Sequence, residues 1–445
     1  MAVQERETIE GFSGELLRQG DAGYDEARSI FNGLVDKRPA LIARCTSTED
    51  VRAALAYARA TGHEVSVRGG GHNVAGTAVT DGGVMIDLSQ LKAADVDPDA
   101  RTVHAGPGLT WAELNEATQA HGLAVTGGVI STTGIAGLTL GGGLGWIMPR
   151  FGLAADNLLS AEVVTADGRV LVASETENPD LFWGLRGGGG NFGIVTSFLY
   201  RLHPVGPMIT GGLVLHPFPA ARDVLRFYRE FTADLSDDLM LVAAMLHGPD
   251  GSKVVGLAAC HIGTPEEAER ELAPVRSFGS PVMVQLGPMP YTAVNQMLDE
   301  GFPPGLLNYW KSTFVRLEDA VIDALVDGYA ECPSPRSAIV LEHFHGQVTR
   351  IPLESTSTAI REPGYNCVIP GLWDDPAATD ENVAWVRARY AAIQPYSTGT
   401  RYVNYLAADD AEGIPDAVAG YDRLVELKRK YDPDNVFHLN QNIKP

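Results

Sequence analysis

Apolar residues recur at helical spacing through Val51, Ala54, Leu55 and Ala58, directly after Ser47-Thr48-Glu49-Asp50, and the run stops at Gly62. A serine with a carboxylate three residues on has capping-box spacing, so a helix is predicted from Ser47 to Gly62. The period then shortens. His63-Glu64-Val65-Ser66-Val67 alternates as a half-buried strand does, and Val84 to Leu88 gives a second strand. Another capped helix begins at Thr110, with Glu113 three residues on, and ends near Gly122. Ala161 to Thr165 and Val170 to Val172 flank Ala166-Asp167-Gly168, a hairpin by turn chemistry, and Ile194 to Tyr200 is a further strand.

Near His203-Pro204-Val205-Gly206-Pro207 the character of the chain changes. Beyond it, β-rich runs such as Lys253 to Leu257 and Ala338 to Glu342 alternate with amphipathic helices such as Pro265 to Leu272 and Glu381 to Ile393. That mixture predicts a separate α+β unit. A helical tail is expected from Ala411 to Tyr431, ended by Asp432-Pro433-Asp434-Asn435, with Asn440-Gln441-Asn442 returning to the first unit. The expected division is 1–205, 206–400 and a closing segment 401–445. No internal repeat or low-complexity stretch interrupts it.

A chain of 445 residues is too long for one ordinary core, and 45 % hydrophobic with 20 % charged residues is a globular balance. The formal charge of −22 argues against a nucleic-acid partner, because no basic patch offsets that field. The one basic cluster, Lys428-Arg429-Lys430, falls in the last turn of a predicted helix, where it complements the dipole. Cys45, Cys260, Cys332 and Cys367 lie far apart without CxxC spacing, which suits free thiols in a reducing compartment. Met1 to Thr8 has no apolar signal core and no stretch approaches membrane-spanning length, so a cytoplasmic location without a membrane partner is expected.

Candidate chemistry begins at Val67-Arg68-Gly69-Gly70-Gly71-His72-Asn73, which sets one imidazole in a loop almost without side chains at a strand end. Glycines let backbone amides approach a diphosphate closely. Two more glycine-rich tracts, Gly127 to Gly145 and Gly187 to Gly193, lie in the same unit. Together they suggest a long, thin, anionic ligand laid along backbone amides, and FAD has that shape. Gly188, Gly190 and Gly193 match G-x-G-x-x-G, but a strand follows them where a dinucleotide fingerprint needs a helix, so a Rossmann unit is rejected.

Several motifs occur together in one order: Arg68 to Asn73; Gly128 to Gly145; Phe151 to Asn157; Asp180 to Gly193 with Asn191; Tyr402-Val403-Asn404-Tyr405; and Tyr431 to Pro445. On these the chain resembles the berberine bridge enzyme-like FAD-linked oxidases, including bacterial members such as the hydroxynicotine oxidases. The resemblance covers essentially the whole chain. It implies the two-domain para-cresol methylhydroxylase-type FAD-binding fold, α+β in class, with an antiparallel-sheet substrate domain. It also implies FAD bonded covalently to His72, with Arg68, Gly69, Gly70 and Gly71 at the diphosphate. Further cofactor positions implied are Asn73, Gly76, Gly128, Val129, Thr132, Thr133, Gly134, Gly137, Gly142, Asn157, Gly193, Ile194, Val195, Asn440 and Asn442. Many relatives add a second flavin bond from a cysteine; Ile130 stands at that position here, so a single tether is expected. Thr133 corresponds to a site near where oxygen meets the flavin.

The activity implied is hydride transfer from a small alcohol, amine or sugar-like substrate to flavin, with O2 as acceptor and hydrogen peroxide released. A dehydrogenase with another acceptor and a flavin-holding protein without turnover are the alternatives. Such chemistry needs a base for the substrate proton. Tyr405 is the leading candidate and Tyr402 the second; on a strand they would point to opposite faces. Some relatives carry a Glu or Gln base on the strand matching Tyr365 to Trp373, where this chain has no carboxylate. Lys311 and the cluster Glu342, His343, His345 offer charge instead. Glu-x-x-His on a strand does not present ligands as it would on a helix, so no metal is expected.

Overall fold

The computed structural model of the chain describes residues 8–248 and 250–445, so nearly all of the polar start Met1 to Thr8 lies outside the described residues. Ser47 caps the first predicted helix, Thr48–Thr61, by accepting from Asp50 N, and Gly62 ends it in a left-handed conformation at φ 69°. That helix crosses between strands Leu41–Arg44 and Val65–Arg68, which flank Val84–Asp87 in parallel. Strand Glu15–Leu17 completes this four-stranded sheet. A second, five-stranded antiparallel sheet runs in the order Ala94–Asp97, Thr102–Ala105, Ile194–Arg201, Leu158–Val164, Val170–Ser174. Its predicted hairpin closes through Gly168 N on Thr165 O at 2.8 Å.

The third sheet has seven antiparallel strands in the order Met283–Pro290, Met208–Pro217, Lys253–His261, Leu239–His247, Ile339–Phe344, Gly364–Trp373, Leu307–Val315. Both of its faces are apolar. Along Leu239–His247, Leu239, Leu241, Ala243 and Met245 pack under helices Ala221–Thr232, Pro265–Ser277, Asp319–Ala330 and Thr379–Ile393. The alternate residues Met240 and Val242 pack instead on Leu144, Trp146, Ile147 and Met148 of the glycine-rich half. Each fully buried large side chain there contributes about 1.5–3 kcal/mol, so the sheet is clamped between two layers. The result is the two-domain α+β architecture that the resemblance implied, with one sheet face aimed at the glycine tracts.

The tail departs from a single helix. Ala411–Gly413 and Ile414–Ala417 form short turns, and the chain restarts as Tyr421–Tyr431. The break sits at Gly420, which adopts φ 63° against Trp183. Leu424, Leu427, Tyr431 and Ile443 then join the core built on Phe182, Phe192 and Phe198. No helix among the described residues is long and apolar enough to cross a membrane.

Candidate active site

The three glycine tracts converge on one cavity of about 250 Å³. Gly69 to Asn73, Gly128 to Ile130 with Thr133, Gly134 and Gly137, and Gly189, Gly190 and Gly193 to Val195 form most of its wall. Two of the loops touch backbone to backbone: a Cβ on Gly70 would lie 2.4 Å from the Gly134 Cα. Only glycine allows that approach. Elsewhere a Cβ on Gly137 or Gly190 would meet nothing within 4 Å. The Ser131 to Thr133 loop is fixed from behind by Trp111 N on Thr133 O and Ala112 N on Ser131 O, both 2.9 Å.

His72 opens onto this cavity. Its ring stacks on Phe31 at 3.8 Å between centroids, and its Nε2 is buried without a partner. Burial pulls the imidazole down to about 4, so it is neutral at physiological pH. The last residues of the chain supply another wall through Phe437, Leu439, Asn440 and Gln441. They are held by Lys428, fully buried, which donates to Asn191 O (2.9 Å), Phe437 O (2.8 Å) and Asp432 Oδ2 (2.7 Å). Asn191 adds Nδ2 on Gln441 O at 3.0 Å and accepts from Ile443 N at 3.0 Å. The basic cluster read as a helix-dipole feature therefore also contains the buried cation that ties the tail to a glycine tract.

Tyr402-Val403-Asn404-Tyr405 is a 3₁₀ turn, not a strand, with Tyr405 N on Tyr402 O at 3.0 Å. Residues three apart eclipse in such a turn, so the two tyrosines share a face that a strand would have divided. Their rings meet edge to face at 4.8 Å and both line the cavity. The Tyr402 oxygen accepts from Asn404 Nδ2 (2.9 Å), Gly143 N (3.2 Å) and Leu144 N (3.4 Å), and burial pushes its phenol up to about 12. Tyr405 donates to Glu342 Oε1 at 3.0 Å; burial and that carboxylate push its phenol well above the usual range.

Glu342, offered by the sequence only as one of a charged cluster with His343 and His345, is the member of that cluster that reaches the tyrosines. It lies behind Tyr405, 4 % exposed, and its Oε2 accepts from Asn366 Nδ2 at 2.7 Å. Burial lifts its carboxyl to about 7 while the Asn366 and Tyr405 hydrogen bonds oppose the rise. The strand matching Tyr365 to Trp373 has no carboxylate of its own, but Glu342 on Ile339–Phe344 is directly opposite Asn366 across the ladder. Strand alternation takes the other charged candidates elsewhere. His343 stacks on His345 at 4.6 Å beside Tyr365. Lys311 pairs with Asp409 and Asp410, each at 2.8 Å, on the face opposite Trp310. No group of three metal-ligating side chains occurs among the described residues.

Not every position implied by the resemblance reaches the cavity. Gly69, Gly70, Gly71, His72, Asn73, Gly128, Val129, Thr133, Gly134, Gly137, Gly193, Ile194, Val195, Asn440, Tyr402 and Tyr405 do. Arg68 turns its guanidinium to Ala27 O, Gly76 packs on Val35, Thr132 is exposed, and Gly142 faces Thr358. Asn157 braces its own turn through Phe151 O (3.0 Å) and Leu153 O (2.8 Å), as an asparagine at a turn does, and Asn442 lies just beyond the wall.

Comparison with known proteins gives the family and the fold. Residues 39–174 match the family described as FAD binding domain, and residues 401–444 match the family described as berberine and berberine like. An FAD-linked oxidoreductase of Dictyostelium discoideum is 30 % identical over 99 % of this chain and 96 % of its own. The (R)-6-hydroxynicotine oxidase of Paenarthrobacter nicotinovorans is 30 % identical over 97 % of both chains. The crystal structure of 6-hydroxy-D-nicotine oxidase from Arthrobacter nicotinovorans superimposes with a TM-score of 0.89 at 28 % identity, covering 98 % of each chain.

Proposed function

From the premise that this chain belongs to the berberine bridge enzyme-like family of FAD-linked oxidoreductases, we propose that it is an oxidase carrying FAD covalently on His72 and acting on a small alcohol, amine or sugar-like substrate. The observation that carries the reading is the Tyr405–Glu342 hydrogen bond of 3.0 Å, on the wall of the same cavity that His72 enters. Bound FAD would supply the two-electron acceptor for hydride from substrate carbon, with O2 as final acceptor and hydrogen peroxide as second product.

The chain's own residues suit that group. His72 offers a neutral ring with an unpartnered nitrogen, the form required for a bond to carbon. Backbone amides of Gly69 to Gly71 and Gly134 suit the diphosphate, and Gly189 to Val195 with Asn440 suit the remaining length. Tyr405 is positioned to take the substrate hydroxyl proton while passing its own to Glu342, whose position near neutrality makes it a proton acceptor at working pH. Asn366 fixes the carboxylate, and Tyr402, its oxygen held by three donors, keeps the turn in place. On this reading 1–205 with 401–445 hold cofactor and 206–400 shape the substrate side. Four unpaired cysteines fit a reducing, cytoplasmic setting.

Acid precipitation of purified protein tests the tether, since covalent flavin stays with the pellet and His72 gains its mass. Peroxide release in air across alcohols, amines and sugars tests the chemistry. Flavin that is reduced by substrate yet not reoxidised by air assigns a dehydrogenase; flavin that no substrate reduces assigns a holding protein.

A further inference from the structure

The wall around Tyr405 is uniform in chemistry. No charged side chain among the described residues lines the cavity. Trp310, projecting from the edge strand Leu307–Val315, lies 5.8 Å from the Tyr405 ring between centroids, and Val74 lines the cavity beside it. Phe31, Phe302 and Val368 back this wall in one apolar cluster. The Trp310 indole N–H is already spent on Asn308 Oδ1 at 3.1 Å, so the ring presents only carbon.

Beside Tyr405 polar capacity is also nearly exhausted, the unpartnered His72 Nε2 and Asn440 Oδ1 belonging to the part of the wall assigned above to the flavin. Asn404 spends its amide on Leu138 O (3.1 Å) and on Tyr402, whose oxygen takes three donors. Tyr405 gives its hydrogen to Glu342 and keeps an acceptor lone pair for the cavity. One substrate hydroxyl can be matched there. Several cannot, and each hydroxyl buried without a partner weakens binding.

Resting on the function proposed above, we infer that the substrate is an uncharged, largely apolar alcohol with a flat ring close to its carbinol carbon, and not a polyol or a carboxylate. The conversion is R–CH(OH)–R′ + O2 to R–CO–R′ + H2O2. The substrate loses its carbinol hydrogen with both electrons, for which bound FAD would supply the acceptor and O2 the final sink, and its O–H proton, which Tyr405 takes while passing its own to Glu342. A ring on the substrate stacks on or edges against Trp310, which fixes the carbinol beside Tyr405. An anionic group would meet the buried Glu342 with no cation to balance it.

The test uses flavin-loaded enzyme mixed without oxygen with benzyl alcohol, 2-naphthalenemethanol, 4-(hydroxymethyl)benzoate, glucose and xylobiose, while the visible flavin band is followed. Reduction by the two aryl alcohols is expected at a rate over dissociation constant about a hundred-fold above that for either sugar, with the carboxylated analogue about ten-fold or more below benzyl alcohol. Trp310→Ala is expected to weaken aryl alcohol binding by about ten-fold, and the milder Trp310→Phe to retain most of it, which separates lost stacking from a misfolded chain. Faster reduction by sugars, or equal reduction by benzyl alcohol and its carboxylate, overturns the substrate class and leaves the oxidase reading intact. Flavin that dithionite bleaches and none of these compounds reduces overturns the substrate class, and if the amines of the wider panel also fail to reduce it, the oxidase reading falls as well.

Discussion

Replacing Glu342 with glutamine keeps the shape of the side chain and removes its ability to accept a proton; its one carbonyl oxygen can accept from Tyr405 or from Asn366, and the other contact must reverse its direction. With the carboxyl at about 7, roughly half is ionised at neutral pH, and the ionised share falls about ten-fold for each pH unit below. Flavin reduction in the parent enzyme is therefore expected to climb ten-fold per unit through the acid range and level off above about pH 7. Without this acceptor the rate should drop by about 10²- to 10⁴-fold, the usual weight of a general base, and its acid limb should disappear. Tyr405→Phe should lose a comparable factor, because the proton reaches Glu342 only through the phenol. Rapid mixing of anaerobic enzyme and substrate from about pH 5 to about pH 9 reads both effects. A Glu342→Gln enzyme that keeps the parent's acid limb, or reacts within a few-fold of it, would refute the relay.

The same carboxyl predicts a stability trend. Its folded value of about 7 exceeds the ordinary 4.5, so between those values the folded chain binds the extra proton; the contribution of this group is full below about 4.5 and is lost as pH rises to about 7, by about 3 kcal/mol, which should appear in urea melts as a difference in pH slope between the parent and Glu342→Gln. His72→Ala should yield protein whose flavin is freed by acid, and flavin retained in the pellet would point to another tether. Lys428→Met leaves the buried Asp432 carboxylate and two backbone carbonyls without their cation, at a cost of about 3–5 kcal/mol, measured as a lower denaturation midpoint with loss of flavin content. A midpoint within about 1 kcal/mol of the parent would show that the tail is held otherwise.

Local interactions were readable from the chain alone. Ser47, Gly62, Thr110 with Glu113, and Ala166 to Gly168 fix helix ends and a turn within a few residues of themselves, so their sequence is sufficient. The glycine tracts were equally legible, because a residue lacking Cβ has few reasons to recur three times except close backbone approach. His72 followed from its place among them. The tertiary structure decided the rest. Glu342 meets Asn366 only because antiparallel register sets the two opposite, and Tyr405 reaches Glu342 only because a 3₁₀ turn replaces an extended segment. Lys311 and His343 lose their claim through strand alternation, and Arg68 through a contact with Ala27, forty-one residues away in the chain. Register, side-chain facing and burial depend on partners distant in sequence, and burial is what moves a carboxyl from the acid range to neutrality. The glycine tracts and His72 are thus written along the chain, while the contact between Tyr405 and Glu342 exists only after two strands and a turn have been brought together.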